Sequence, residues 1–156
     1  MNDDPIMQRA FEGQQRLMGG DRAGARAIYG ELWAEIGASG DPKHRIWVAH
    51  IMADAQEDPA EEVRWDLLAL EAADALAERG DPSGVGIRTF YPSLHLNLGE
   101  GYRKLGDPAR ARDHLEQAET HAAGQPLDDE TTGILRAIAA LRDKLDHPER
   151  YPDPTA

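Results

Sequence analysis

Trp47, His50 and Asp54 stand at i, i+3 and i+7, so they share one face of any helix that carries them. A histidine four residues before an aspartate can serve as a general base with its orienting carboxylate, or as two metal ligands. Tyr91, His95 and Asn97 form a second set of the same kind. Brought onto one face, the two sets make a pocket with aromatic walls and converging polar groups, the usual shape of a small-molecule site. The same residues also read as packing: His50 as a core histidine, Asp54 as its exposed i+4 partner, Trp47 and Trp65 as core or groove wall. Both readings are open at this level. Elsewhere chemistry has no motif to stand on, because the chain holds no HExxH pair, no Gly-rich phosphate loop and no GxSxG elbow. No catalytic residue, metal or cofactor is therefore expected. His114, Gln117 and His121 are expected on a solvated outer face, and Arg64 is placed to stack on Trp65.

Composition narrows the partners. The net charge of −12, from 29 acidic against 17 basic side chains, repels phosphate backbones and argues against nucleic acid. Arg103, Lys104, Arg110 and Arg112 cluster near one turn, but Asp107, Asp113 and Glu116 interleave with them. With 156 residues and 40% hydrophobic content, the chain can bury a core as one domain without staples. The absence of cysteine removes disulfides and thiolate chemistry. No run approaches the roughly 18 apolar residues of a membrane span, and the acidic start Met1–Pro5 lacks the apolar run of a signal peptide. A soluble cytoplasmic protein is expected. Three lysines against fourteen arginines, with abundant Ala and Gly, suit a GC-rich bacterial source.

The elements that must position these residues are helices. Alternating β-branched runs are missing, whereas Gly20-Asp21, Gly40-Asp41-Pro42, Asp58-Pro59, Gly80-Asp81-Pro82, Gly106-Asp107-Pro108 and Gly124-Gln125-Pro126 punctuate the chain. The spacing predicts helices at 5–18, 22–36, 43–56, 60–79, 91–105, 109–123 and 129–145, with a linker at 83–89 and an extended tail over 147–156. The helix 60–79 is apolar over much of its circumference and is expected to be buried on several sides at the centre of the domain. Ile134, Leu135, Ile138, Leu141 and Leu145 give 129–145 the pattern of an amphipathic capping helix.

An internal repeat pairs the helices. A shift of 86 residues brings Gly13 onto Gly99, Gly20 and Asp21 onto Gly106 and Asp107, and Ala25 and Arg26 onto Ala111 and Arg112. His95, Leu98, Gly99 and Tyr102, then a Gly106-Asp107-Pro108 turn, then Ala111, Leu115 and Ala118 follow the aromatic-x₂-Leu-Gly-x₂-Tyr…Ala-x₃-aromatic pattern. On these residues the chain resembles the tetratricopeptide-repeat family, strongly over 92–123, moderately over 6–36, and only in architecture over the enlarged unit 43–79.

The resemblance implies an all-α, right-handed array of antiparallel helix hairpins at 5–36, 43–79 and 91–123, closed by the capping helix, within a single domain 1–146. It also implies a concave groove, lined by first helices, that takes a protein or peptide segment. The groove positions carried over are Met7, Ala10, Gln14, Leu17 and Met18 in the first unit, and Ser93, Leu96, Glu100, Arg103 and Lys104 in the third, with Trp47 between them. Leu96 and Glu100 replace the Lys and Asn of the family's carboxylate clamp, so an amphipathic helix or apolar peptide is the expected ligand. The leading expectation is a non-enzymatic binding module. The alternatives are a small-molecule binder or enzyme built around Trp47, His50, Asp54, Tyr91 and His95, and a self-associating homo-oligomer.

Overall fold

The chain is all-α in a computed structural model that describes residues 3–80 and 86–152. Its helices are α1 (Pro5–Met18), α2 (Arg22–Ile36), α3 (Pro42–Asp54), α4 (Pro59–Glu78), α5 (Gly86–Lys104), α6 (Pro108–Ala123) and α7 (Asp129–Asp146), followed by one 3₁₀ turn, Pro148–Arg150. No strand occurs, and no helix is long and apolar enough to cross a membrane, among the described residues.

Local chemistry sets the helix starts. Asp4, Asp21, Asp41, Asp58, Asp107 and Asp128 each accept a backbone N–H of the first turn that follows. Pro5, Pro42, Pro59 and Pro108 occupy first-turn positions where the missing N–H costs nothing. The internal repeat shows in the turns themselves. Gly20 and Gly106 sit at φ +89° and +75°, a conformation that favours glycine. In both turns the following aspartate donates its N–H back into the preceding helix: Asp21 to Arg16 O at 2.8 Å, Asp107 to Tyr102 O at 2.9 Å.

Two units emerge, 1–80 and 81–156. In the first, α1 and α2 form an antiparallel hairpin in which Gly13 lies against the Tyr29 ring, where a Cβ would collide with Cε1. α3 packs on both members of that hairpin, and α4 packs on α3. Ile46, Val48 and Ala49 of α3 and Val63, Ala69 and Ala73 of α4 are buried in this unit. At the start of α1, Asp4 meets His44 Nε2 of α3 at 2.5 Å. At the far end, Arg26 donates to Ala55 O at 3.2 Å, and Arg22 donates to Asp54 O and Gln56 O at 3.3 and 3.2 Å. These are carbonyls that a helix C-terminus leaves without partners. Trp33 and Trp65 meet edge to face at 5.2 Å, with Arg45 over one ring and Arg64 over the other.

The second unit repeats the scheme. α5 and α6 are antiparallel, and α7 packs on both. A Cβ on Gly99 would come within 2.8 Å of Leu141 Cδ2 and 3.3 Å of Ala111 O, so the small residues permit the approach. Ala111, Leu115, Ala118, Ala122, Ile138, Leu141 and Leu145 form the core, with Leu96, Tyr102 and Ile134 packed against it. Arg112, the repeat equivalent of Arg26, donates to Leu145 O and Asp146 Oδ1, both at 2.9 Å. Each hairpin thus grips the C-terminal end of the helix that follows it.

Three expectations need correction. α5 begins at Gly86, inside the segment read as a linker, and runs through Pro92. Pro92 cannot donate to Arg88 O, and Gln125 Nε2 supplies that bond instead at 2.9 Å. Residues 83–85 of the expected linker lie outside the described residues. α4 is buried on one face, not on several: Leu67 is 40% exposed and Leu70 is half-buried. The tail does not leave α7 extended, because Pro148–Arg150 turns back. Tyr151 Oη bonds Asp143, and Arg150 lies 3.7 Å from the same carboxylate. Residues 153–156 lie outside the described set.

Two glycines separate packing from propensity. Gly13→Ala should destabilise by about 1–3 kcal/mol, because overpacking against Tyr29 exceeds the gain in helix propensity. Gly30→Ala meets only Met52 Cε at 3.9 Å and should stabilise by about 0.5–1 kcal/mol. Urea unfolding of both variants measures the difference, and equal shifts would contradict the close approach at Gly13.

Candidate functional site

His50 lies on α3 with its imidazole half-buried, one turn before Asp54. Its hydrogen-bond partner is Asp66, from the facing helix α4, with Nδ1 3.4 Å from Oδ1. Asp54, the partner expected from the i, i+4 spacing, is exposed and acts on the pair only through its charge. Asp66 is wholly buried, and its second oxygen, Oδ2, has no hydrogen-bond partner among the described residues. Tyr29 Oη, also buried, has none either.

Burial governs the titration of these groups. It pushes the Asp66 carboxyl up to about 6, against the pull of His50. It also opposes a charge on His50, but the Asp66 hydrogen bond and the charges of Asp54 and Asp66 outweigh it and hold the imidazole above its usual range. Burial, aided by the Asp54 charge, pushes the Tyr29 phenol to about 12, so it stays protonated. The arrangement is a buried carboxyl–imidazole pair, and the charge of Asp54 acts both on its imidazole and on the Tyr29 phenol. An open depression of about 410 Å³ lies on α4, but Leu67, Leu70, Glu71, Asp74, Ala75 and Glu78 line it, and the His50 pair does not.

Tyr91, His95 and Asn97 belong to the second unit. His95 is buried, and the other two are half-buried. His95 faces α6, its Nδ1 3.0 Å from Nδ1 of His114, with the His121 ring parallel to it at 5.5 Å. Tyr91 stacks on His121 at 4.7 Å. His114 and His121 are therefore not on a solvated outer face. They flank the apolar ridge Ala111, Leu115, Ala118 and Ala122 on the side turned to α5, while Gln117 is exposed. Among the described residues, no group of three or more His, Cys, Asp or Glu side chains is placed to hold a metal ion.

The groove positions divide between the units. In the first, Met18 is 77% exposed, Gln14 is exposed, Met7 and Leu17 are half-buried, and Ala10 is covered. Phe11, absent from the carried-over set, is 61% exposed. Trp47 on α3 is half-buried, one turn beyond the His44 that meets Asp4. In the second unit, Leu96 packs against the α6–α7 core and Glu100 is held by Arg103 at 2.7 Å and by Lys144 of α7 at 3.3 Å. Lys104 is exposed at the end of α5. The basic cluster is spent in ion pairs: Arg103 with Glu100, Arg110 with Asp107 and Arg112 with Asp146.

Comparison of the chain with models of protein families, with curated proteins and with solved structures finds no match in any of the three.

The His50–Asp66 pair gives the first unit a defined pH dependence. Both groups titrate higher in the folded chain than in the unfolded one. Their contribution is complete below the unfolded values, and for Asp66 it is lost as pH rises through about 6. All three tryptophans lie in this unit, so their fluorescence reports its unfolding. The urea midpoint should fall between pH 5 and pH 8 by an amount worth on the order of 1 kcal/mol. Asp66→Asn should flatten that slope, and an unchanged slope would contradict the assignment.

Proposed function

We propose that the chain is a cytosolic, non-enzymatic binding module of tetratricopeptide-like architecture, and that the exposed face of α1 takes an apolar or amphipathic peptide segment. One observation carries this reading. Met7, Phe11, Gln14 and Met18 recur at i, i+4, i+7 and i+11, so they share one face of α1. Phe11 and Met18 are the most exposed large apolar residues on that helix. Aromatic and methionine side chains on an open surface are adaptable anchors for a partner helix.

Other features support the architecture. In each unit a glycine-spaced hairpin carries a third helix packed on both of its members. The first helices α1 and α3 run the same way, with Asp4 at the start of one beside His44 near the start of the other. Catalysis has less support, since His50 is engaged by Asp66 and the described depression lies elsewhere.

A random peptide library displayed on phage tests the proposal. The selected peptides should be rich in apolar residues at helical spacing. Phe11→Asp with Met18→Asp should weaken their binding at least tenfold while leaving helicity unchanged, because both side chains face solvent. Undiminished binding to the folded double variant would overturn the α1 assignment.

A further inference from the structure

We propose that the imidazole column on the seam between α5 and α6 is an acid-operated latch. Uncharged, its rings close the hairpin, and protonation opens it. The column is built from both helices: Tyr91, His95 and Tyr102 from α5, His114 and His121 from α6. Its rings follow one another as Tyr91, His121, His95, His114 and Tyr102, with centroids 4.7, 5.5, 5.2 and 5.5 Å apart and planes within 29° of parallel. This inference concerns the second unit alone and does not depend on the reading of α1.

The central link is the 3.0 Å contact between Nδ1 of His95 and Nδ1 of His114. It is a hydrogen bond only if one nitrogen carries a proton and the other offers a lone pair. When both rings are protonated, two N–H groups face each other and the bond becomes a repulsion.

Among the described residues, no carboxylate acts on the charge at His95. On α5, Glu100 is held by Arg103 and by Lys144 of α7, and no acidic group of α5 acts on the His95 charge. On α6, Asp113 favours a charge on His114 but not on His95, while Glu119 is bound by Arg142 of α7. Arg110 lies 5.8 Å over the Tyr102 ring, bringing another cation to the end of the column. α7 itself offers Lys144 and Arg142 to the hairpin, with Asp146 engaged by Arg112.

The titration agrees with this geometry. Burial first, then the neighbouring histidines, push His95 down to about 4, and burial pushes His114 down against the pull of Asp113. A histidine whose folded pKa lies below its unfolded value lends stability that is complete above about 6.5 and is lost as pH falls toward 4. The direction is opposite to that of the His50–Asp66 pair. For His95 alone, linkage shifts the closed–open equilibrium of the seam roughly 10-fold by pH 5.5 and roughly 80-fold by pH 4.5.

Two measurements on the full chain test the latch. An NMR titration of the imidazoles should show His95 protonating well below pH 5.5, and protonation near pH 6.5 or above would overturn the proposal. Hydrogen-exchange protection of α5 and α6, corrected for intrinsic rates, should fall roughly tenfold between pH 7.5 and 5.5, while α1 and α2 keep theirs. His95→Phe restores the aromatic expected at that repeat position and removes the His95 titration while leaving that of His114, so its seam should lose clearly less protection than the wild type. Equal loss in wild type and His95→Phe, or no loss in wild type, would overturn it. The imidazole titration needs no variant, so it decides the matter even if His95→Phe folds poorly.

Discussion

A helix that ends inside a fold leaves carbonyls that need donors, and in both units an arginine of the preceding hairpin supplies them. Arg26 and Arg22 reach the end of α3, and Arg112 reaches the end of α7. A guanidinium suits the task twice over, since it donates several bonds and carries the charge that the negative end of a helix favours. The close approach of each hairpin, at Gly13 against Tyr29 and at Gly99 against Ala111, brings its second helix near enough for the arginine to reach. The contacts of α3 with α1 and α2, and of α7 with α5 and α6, follow from that grip. They also leave α1 with a face that no other described residue of its unit covers, where Phe11 and Met18 stand exposed.

The two buried ionisable clusters differ in sign because their surroundings differ. Asp66 sits where burial outweighs a single imidazole partner, so its carboxyl holds its proton longer than usual. His95 sits among imidazoles and phenols, so burial and neighbouring like charges both favour the neutral ring. Acid relieves the first unit and loads the second. One chain therefore carries two opposed proton responses in two structurally related units.

What was legible in the sequence was local. Gly106-Asp107-Pro108 states its own turn, because a left-handed glycine, a capping carboxylate and an N1 proline act within a few residues of one another. Hidden from view were the long-range partners. Pro92 argues for a helix start near 91 until Gln125, 33 residues later, takes the carbonyl that Pro92 leaves free. Asp54 is the obvious partner for His50 by spacing, yet Asp66, 16 residues away on the facing helix, is the one that bonds it. His114 and His121 at a spacing of seven fit either face of α6, and only the position of His95 decides between them. The apolar content of α4 likewise gave no direction, so its exposed Leu67 was unforeseen.

The shared arginine grip is the claim on which the kinship of the two units rests, and exchange at the end of α7 tests it most directly. In Arg112→Gln, amide protection in the last turn of α7 should drop severalfold, because Leu145 O and Asp146 lose their donors together. Protection in α1 and α2 should hold. Unchanged protection at the end of α7 would mean that the arginine is a surface ornament and that packing alone seats the helix.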